Sequence, residues 1–226
     1  MDEVLATMQP SLRLVQRGDF IHRAGDPYVG LSIVSTGCLK SVLPTADGDE
    51  HIVAFHQTGS VAGLSGIATG RYANDVIAVC TGAVCHLPSA EIEQMRQRDA
   101  DFASVLLNWT TTALQRTQRL NTTLTSMSAV GRFATFLLDM ARAEEIDTNG
   151  TCNFALPMTR AEIGRYLALA PETVSRMVDT LKKANLVRLQ RHDVEYMDRG
   201  GLAQVARSGS VERRRTQRAE SIAAVA

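Results

Sequence analysis

The sequence predicts an α+β protein in which an N-terminal antiparallel β jelly roll is followed by one long helix and a C-terminal winged helix-turn-helix. Three observations carry that prediction. Residues 14–87 break into strand-sized apolar runs punctuated by turn residues. Residues 100–127 hold apolar positions at spacings of three, four and seven without a breaker. Residues 158–186, MTRAEIGRYLALAPETVSRMVDTLKKANL, fit two short helices separated by a break too brief for anything but a tight turn.

At 226 residues and 45 % apolar, the chain can hold one large or two small domains with real cores. Its formal net charge of zero hides an asymmetry: residues 1–150 carry 11 Lys+Arg against 16 Asp+Glu, and residues 151–226 carry 13 against 8. The basic part is the one with the helix-turn-helix pattern, as phosphate neutralisation requires. No stretch approaches the roughly 18–20 apolar residues of a membrane span, and MDEVLATMQPSLR lacks the basic and apolar regions of a signal peptide, so a cytoplasmic location is expected. Cys38, Cys80, Cys85 and Cys152 are widely spaced with no C-x-x-C, which argues against a zinc site and proposes no disulfide framework. No Ser/His/Asp arrangement, phosphate loop or paired carboxylates stand in a fitting context, so an enzyme is not expected.

In chain order, residues 1–13 read as a short helix or a frayed end. The runs FIHRAGDP, VGLSIVSTGCLKSVLP, DGDEHIVAFHQTG and NDVIAVCTGAVCHLP follow, with turn signals at Gly25-Asp26-Pro27, Gly37, Asp47-Gly48 and Gly59. His22, His51, His56, His86 and His192 have no ligand-type spacing and read as satisfied surface or core residues. After Pro88, SAEIEQMRQRD is a short helix. On the long helix of residues 100–127, Val105, Leu106, Trp109, Ala113, Leu120, Leu124 and Met127 form a stripe suited to a partner helix; docking on its own barrel is the alternative, and a long helix has two apolar edges. Its threonines lower intrinsic helicity, so packing must hold it.

Residues 128–143 form an amphipathic helix with Val130, Phe133, Phe136, Leu137 and Met140 on its core face, opening a DNA-binding domain after a hinge near residues 126–128. Residues 144–150 read as a polar loop and CNFALPM as a short strand. In the helix-turn-helix itself, Ile163, Tyr166 and Leu167 recur at i, i+3, i+4, and Thr159 with Glu162 has the form of a capping box. The second helix opens at Pro171-Glu172, with Val174, Met177, Val178 and Leu181 as its buried stripe.

On that second helix Glu172, Ser175 and Arg176 share a face away from the stripe and close to the N-terminus. In a major groove a carboxylate accepts from cytosine N4, a guanidinium grips guanine O6 and N7, and a hydroxyl serves either way. These three are therefore the base-reading candidates, with Thr173 of the same turn also placed at the DNA. Thr159, Arg160 and Lys182 are candidates for backbone positioning. The plain alternative is a solvated face carrying a Glu–Arg i,i+4 pair. NLVRLQRHDVEYMD then reads as a two-stranded wing turning at His192-Asp193, whose Arg188 and Arg191 either reach phosphates or are ordinary exposed basics. From residue 207 the text is polar, Arg-rich and then Ala-rich, which predicts a flexible tail; Arg213, Arg214 and Arg215 either add non-specific DNA affinity or are simply solvated. The expected parts are a barrel at 1–98, a long helix at 99–127, a winged helix-turn-helix at 128–206 and a tail at 207–226.

The stretch TRAEIGRYLALAPETVSR resembles the DNA-binding signature of the Crp/Fnr transcription regulators, in particular the Fnr branch, whose recognition helix carries Glu-x-x-Ser-Arg. RLVQRGDFIHRAGDP, FHQTGSVAGL and SAVGRFATFLLDMA are also similar to their counterparts there, so the resemblance runs from about residue 14 to about residue 206. It implies a cyclic-nucleotide-binding-like barrel and a cytoplasmic homodimer paired through the long helix. Its partners would be double-stranded DNA, at a palindrome like TTGAT-NNNN-ATCAA, and RNA polymerase, in oxygen-, redox- or nitric-oxide-linked gene control. The rival reading is a cyclic-nucleotide-like small-molecule-binding protein that acts through protein contacts.

Two departures from the family pattern bear on cofactors. Cyclic-nucleotide-binding relatives use a Gly-Glu pair and an Arg followed by a small residue; here GSVAGLSGIATGRYAND puts Ser60-Val61 where the Glu is expected and leaves Arg71 as a loose phosphate candidate, so nucleotide binding is not expected. Fnr holds an iron-sulfur cluster with three N-terminal cysteines and one in the barrel. Cys85, in AVCHLP, stands at the barrel position, and nothing before Leu14 supplies the other three. No cofactor is therefore expected for the chain as written; Cys85 becomes a metal ligand only in a longer product from an upstream start, and otherwise Cys80 and Cys85 are small strand residues.

Overall fold

Residues 11–44 set the pattern of the N-terminal half: four short strands separated by tight turns. The computed structural model describes residues 11–44, 50–141 and 151–211. Residues 1–10 of the expected N-terminal helix or frayed end, the Asp47-Gly48 turn, the polar loop at 144–150 and the tail arginines Arg213 to Arg215 lie outside these; residues 11–13 are instead part of a strand, paired with residues 84–86. Contacts divide the chain into two compact units: Met1–Asn121 with Pro157–Tyr166, and Thr122–Leu156 with Leu167–Ala226.

In the first unit, β1 (Ser11–Val15), β8 (Gly82–Pro88), β3 (Gly30–Thr36) and β6 (Val61–Ala62) form one four-stranded sheet in that order. The second sheet runs β2 (Phe20–His22), β7 (Asp75–Ala78), β4 (Cys38–Pro44), β5 (Glu50–Gln57). Every pairing is antiparallel. Val15, Val34, Ala62 and Val84 from one sheet meet Leu39, Val76 and Ala78 from the other in a single buried cluster, which makes the pair a double-sheet jelly roll. Gly30 lies at φ +148 where β3 passes β8, and a Cβ there would run into the Leu87 carbonyl.

A one-turn helix α1 (Gly66–Thr69) sits in the long β6–β7 connection. Helices α2 (Ser89–Arg98) and α3 (Ala100–Ser126) follow β8. Leu31 and Leu87 of the jelly roll join Ile92 and Phe102 in a second buried cluster, with Ile33, Val61, Leu106 and Trp109 packed around it. The stripe through Leu106 and Trp109 is thus the barrel-facing edge of α3, the second of the two readings its spacing left open. A different edge exposes Leu107 at 65 % and Leu114 at 55 %, one heptad apart.

Helix α5 (Arg160–Leu167) is held in this unit up to Tyr166. Phe55 and Tyr166 meet edge to face at 5.1 Å between ring centroids. Arg17 donates to the Val79 carbonyl at 2.6 Å, to the Pro157 carbonyl at 3.2 Å and to Glu162 Oε2 at 3.0 Å. Residues 157–166 of the expected DNA-binding domain therefore pack with the jelly roll.

In the second unit, α4 (Ala129–Met140) begins at Ser128, whose Oγ accepts the Gly131 N–H at 3.3 Å, and buries Phe133, Phe136, Leu137 and Met140. Strands β10 (Val187–Gln190), β11 (Asp193–Met197) and β9 (Thr151–Ala155) form an antiparallel sheet with β11 in the centre, so the wing is three-stranded rather than a lone hairpin. Helix α6 (Pro171–Lys183) precedes it and α7 (Arg199–Ser208) follows. Asp198 caps α7 by accepting the Gly201 N–H at 2.9 Å, and Gly209 closes it in the left-handed conformation. The expectation that the chain loosens from residue 207 needs correcting there: Arg207 lies in the last turn of α7. Leu202 and Val205 are buried, an apolar pair too short to announce a helix by periodicity.

Candidate nucleic-acid interface

The turn between the two signature helices is built from special backbone geometry. Ala168 takes φ +52 after the last turn of α5, and Arg132 Nη1 donates at 3.1 Å to the Leu167 carbonyl, which has no partner within its own helix. Ala170 is extended, its carbonyl accepts from the Thr173 and Val174 N–H groups at 2.9 and 3.1 Å, and Pro171 opens α6 where a missing N–H costs nothing. Val174, Val178 and Leu181 are buried, which leaves the other face of α6 to solvent.

On that open face Glu172, Ser175 and Arg176 are all exposed, within the first two turns of the helix. Arg176 Nη2 donates to Thr173 Oγ1 at 3.1 Å, so its polar partner is Thr173 and not the Glu172 that the i,i+4 spacing suggested. Ser175 Oγ donates to the Pro171 carbonyl at 3.2 Å, which commits its one proton and leaves its lone pairs outward. The face therefore presents two acceptors, Glu172 and Ser175, beside one fork of donors, Arg176. Asp179 is also exposed on this face one turn further on, and no sequence signal marks it because an acid there is unremarkable on a surface helix.

Lys182 lies ten residues beyond Glu172, roughly 15 Å along the axis, and is not part of that cluster. It borders instead a cleft of about 530 Å³ with Asn185, Arg188, Gln190 and Tyr196. Arg188 stands 5.8 Å over the Tyr196 ring, and Arg191 is exposed at the tip of the hairpin with φ +51.

At the start of α5 the capping box closes as the spacing predicts. Glu162 Oε2 accepts from the Thr159 N–H at 2.8 Å and from its hydroxyl at 3.0 Å, and the Glu162 N–H returns to Thr159 Oγ1 at 3.1 Å. Burial alone would raise the Glu162 carboxyl, but the two Thr159 donors, Lys40 and Arg17 hold it below the usual carboxylate range. Thr159 thus has both its N–H and its hydroxyl engaged, and Arg160 is half-buried.

The jelly roll offers little that fits a cyclic nucleotide at the expected positions. Arg71 is exposed, with Nη1 donating to the Gly25 carbonyl at 2.7 Å, so it fastens a loop. Ser60 Oγ accepts from Arg116 at 3.3 Å, and Val61 pairs with Ile33. The His22 ring stacks on Tyr72 at 3.6 Å, with its Nε2 and the Tyr28 hydroxyl buried and unpartnered. Burial drives His22 to about 4, and burial together with Arg116 drives His56 to about 4; His56 Nε2 lies 2.7 Å from Ser41 Oγ. His192 Nδ1 is 2.9 Å from the Leu156 carbonyl.

Cys85 sits half-buried on β8 opposite Ile33 and Leu12, and burial pushes its thiol up. Among the described residues no three His, Cys, Asp or Glu side chains converge as metal ligands. A lone thiol of raised pKa does not fit an iron-sulfur cluster, which takes four thiolates. No described helix is long and apolar enough to cross a membrane.

Comparison with known proteins agrees with this geometry. Residues 12–99 match the cyclic nucleotide-binding domain family and residues 131–205 the Crp-like helix-turn-helix domain. The transcriptional activator protein Anr of Pseudomonas protegens is 30 % identical over 215 residues, covering 94 % of this chain and 85 % of the relative. The chain belongs to the Crp/Fnr family. Within it the Fnr branch is the one shown: the fumarate and nitrate reduction regulatory protein of Escherichia coli is 26 % identical over 91 % of this chain and 81 % of its own. Among solved structures, FixK2 from Bradyrhizobium japonicum superposes with a TM-score of 0.77 at 26 % identity, covering 87 % of this chain and 97 % of that one. This Crp/Fnr protein is accordingly a DNA-binding transcription regulator whose matched relatives are regulators and not enzymes.

Proposed function

We propose that this regulator binds a palindrome like TTGAT-NNNN-ATCAA as a homodimer and couples oxygen, redox or nitric-oxide status to transcription through RNA polymerase, in the cytoplasm. The observation that carries the DNA reading is the exposed set Glu172, Ser175 and Arg176 at the N-terminus of α6, two acceptors beside one donor fork. Such a set matches cytosine N4, adenine N6 and the guanine O6/N7 pair across neighbouring base pairs. Thr173 orients Arg176, Arg160 and Lys182 contribute to backbone positioning, and Thr159, whose donors go to Glu162, does so by fixing the start of α5. The similarity to the fumarate and nitrate reduction regulatory protein of Escherichia coli supports the respiratory signal. The exposed Leu107 and Leu114 supply the apolar edge through which two copies of α3 pair, and a two-fold dimer suits a palindrome. The tie of Arg71 to the Gly25 carbonyl and Ser60-Val61 in place of an acid speak against a cyclic nucleotide as effector, and Cys85 would serve as a cluster ligand only in a longer product.

The test is fluorescence anisotropy with the palindrome and a scrambled duplex over a salt series. Tight binding to the palindrome, a steep salt slope and loss of the preference in Arg176→Ala are expected. Equal affinities of wild type and Arg176→Ala for both duplexes would sink the assignment.

A further inference from the structure

Arg165, in the second turn of α5, is marked by no sequence motif of its own. Its side chain is half exposed, and Nη1 donates to Glu50 Oε2 at 3.0 Å. The same carboxylate oxygen accepts from Lys40 Nζ at 3.3 Å, and Lys40 Nζ lies 3.3 Å from Glu162 Oε1 as well. All four residues belong to the first unit. They form a chain of alternating charge that runs from a buried inner pair, Lys40 and Glu162, to an outer pair, Glu50 and Arg165, with side chains 40 % and 50 % exposed.

The two ends differ in what they can do. The inner pair is desolvated and cannot be separated without leaving a buried charge alone. The outer pair is solvated, so its net strength is small and another anion of the same shape can replace the carboxylate. A guanidinium fork fits a phosphate as well as a carboxylate. The first helix of a helix-turn-helix crosses the DNA backbone, where phosphodiesters are the available anions. At the start of the same helix the Thr159 N–H and hydroxyl are already given to Glu162, and Arg160 is half-buried.

We propose that Arg165 is a DNA-backbone contact held in reserve by Glu50. The β5 carboxylate occupies the guanidinium that a phosphate would otherwise take, and so the jelly-roll strand carrying it lowers DNA affinity. This rests on the DNA-binding reading above and adds to it a contact residue and the acid that competes for it.

The experiment is a double-mutant cycle in the full chain with Glu50→Gln, Arg165→Gln and both together, by anisotropy on the palindrome and on an unrelated duplex across a salt series. Neither side chain is buried, and matching thermal midpoints will show that the fold is intact. Arg165→Gln is expected to reduce the salt slope by about one on both duplexes. Glu50→Gln is expected to tighten both about two- to fivefold, the span of an exposed ion pair. In the Arg165→Gln background the Glu50→Gln gain should vanish. An unchanged slope in Arg165→Gln, an unchanged affinity in Glu50→Gln, or a gain that survives without Arg165 would overturn the proposal; the last would mean that Glu50 acts by net charge alone. A wild type that binds neither duplex would overturn the DNA reading itself, a result distinct from binding that ignores Arg165.

Discussion

Glu162 closes the first turn of α5 on Thr159 at 2.8 Å and, through its other oxygen, meets Lys40 of β4 at 3.3 Å. One carboxylate thus serves as a local cap and as a tertiary tie, and both Lys40 and Glu162 are only 8 % exposed. The two roles separate by substitution. Glu162→Gln keeps a side chain that a capping box accepts but removes the charge, whereas Glu162→Ala removes both. Urea unfolding should show Glu162→Ala losing about 3–5 kcal/mol, of which the cap is roughly 1 kcal/mol, with Glu162→Gln in between. A Glu162→Gln protein as stable as wild type would mean that Lys40 and Arg17 contribute nothing through it.

Two imidazoles make the jelly roll sensitive to mild acid. His22 and His56 are held at about 4, below the ordinary value of 6.5, so the folded chain keeps them neutral where the unfolded chain takes up protons. Stability from this source is complete above about pH 6.5 and declines as pH falls towards 4, by at most roughly 1.4 kcal/mol per pH unit for each ring. Glu162, held low, adds its own loss only at lower pH. Urea midpoints at pH 7.5, 6 and 5 should therefore fall steadily, and His56→Gln should flatten the curve; a level profile between pH 7 and 5 would contradict the burial of both rings.

Base readout should concentrate in one turn of α6. Arg176→Ala is expected to cost about 1–3 kcal/mol on the palindrome and relax its sequence preference. Thr173→Val, which removes the oxygen that accepts from Arg176 at 3.1 Å, should cost less and nothing further once Arg176 is gone. Anisotropy with single-base variants of the half-site distinguishes a lost base contact from a general weakening.

The two edges of α3 should respond differently. Leu107→Glu with Leu114→Glu is expected to leave the thermal midpoint close to wild type while shifting the mass in light scattering from dimer to monomer. Trp109→Ala, on the edge packed against Leu31 and Leu87, should instead lower stability by about 2 kcal/mol, less than a fully buried aromatic would. A dimer that survives both glutamates would place the pairing surface elsewhere.

The sequence by itself determined what depends on neighbours along the chain. The capping box at Thr159 and Glu162, the buried stripe of α6, the Pro171 start and the polar trio opposite that stripe are all relations between residues three or four apart, which a helix places on one face. The strands of the jelly roll were legible for the same reason, through runs and turns. Only the tertiary structure decided which partner covers a face. It turned the Leu106 and Trp109 edge of α3 to the sheet and left Leu107 and Leu114 outside, gave Arg71 to the Gly25 carbonyl, and extended order through Arg207 by packing Leu202 and Val205. Arg165 and Glu50 stand 115 residues apart, and no local spacing encodes such a pair, because the charge of a surface helix reads the same whether it faces water, an acid or a phosphate until the fold has placed a partner beside it.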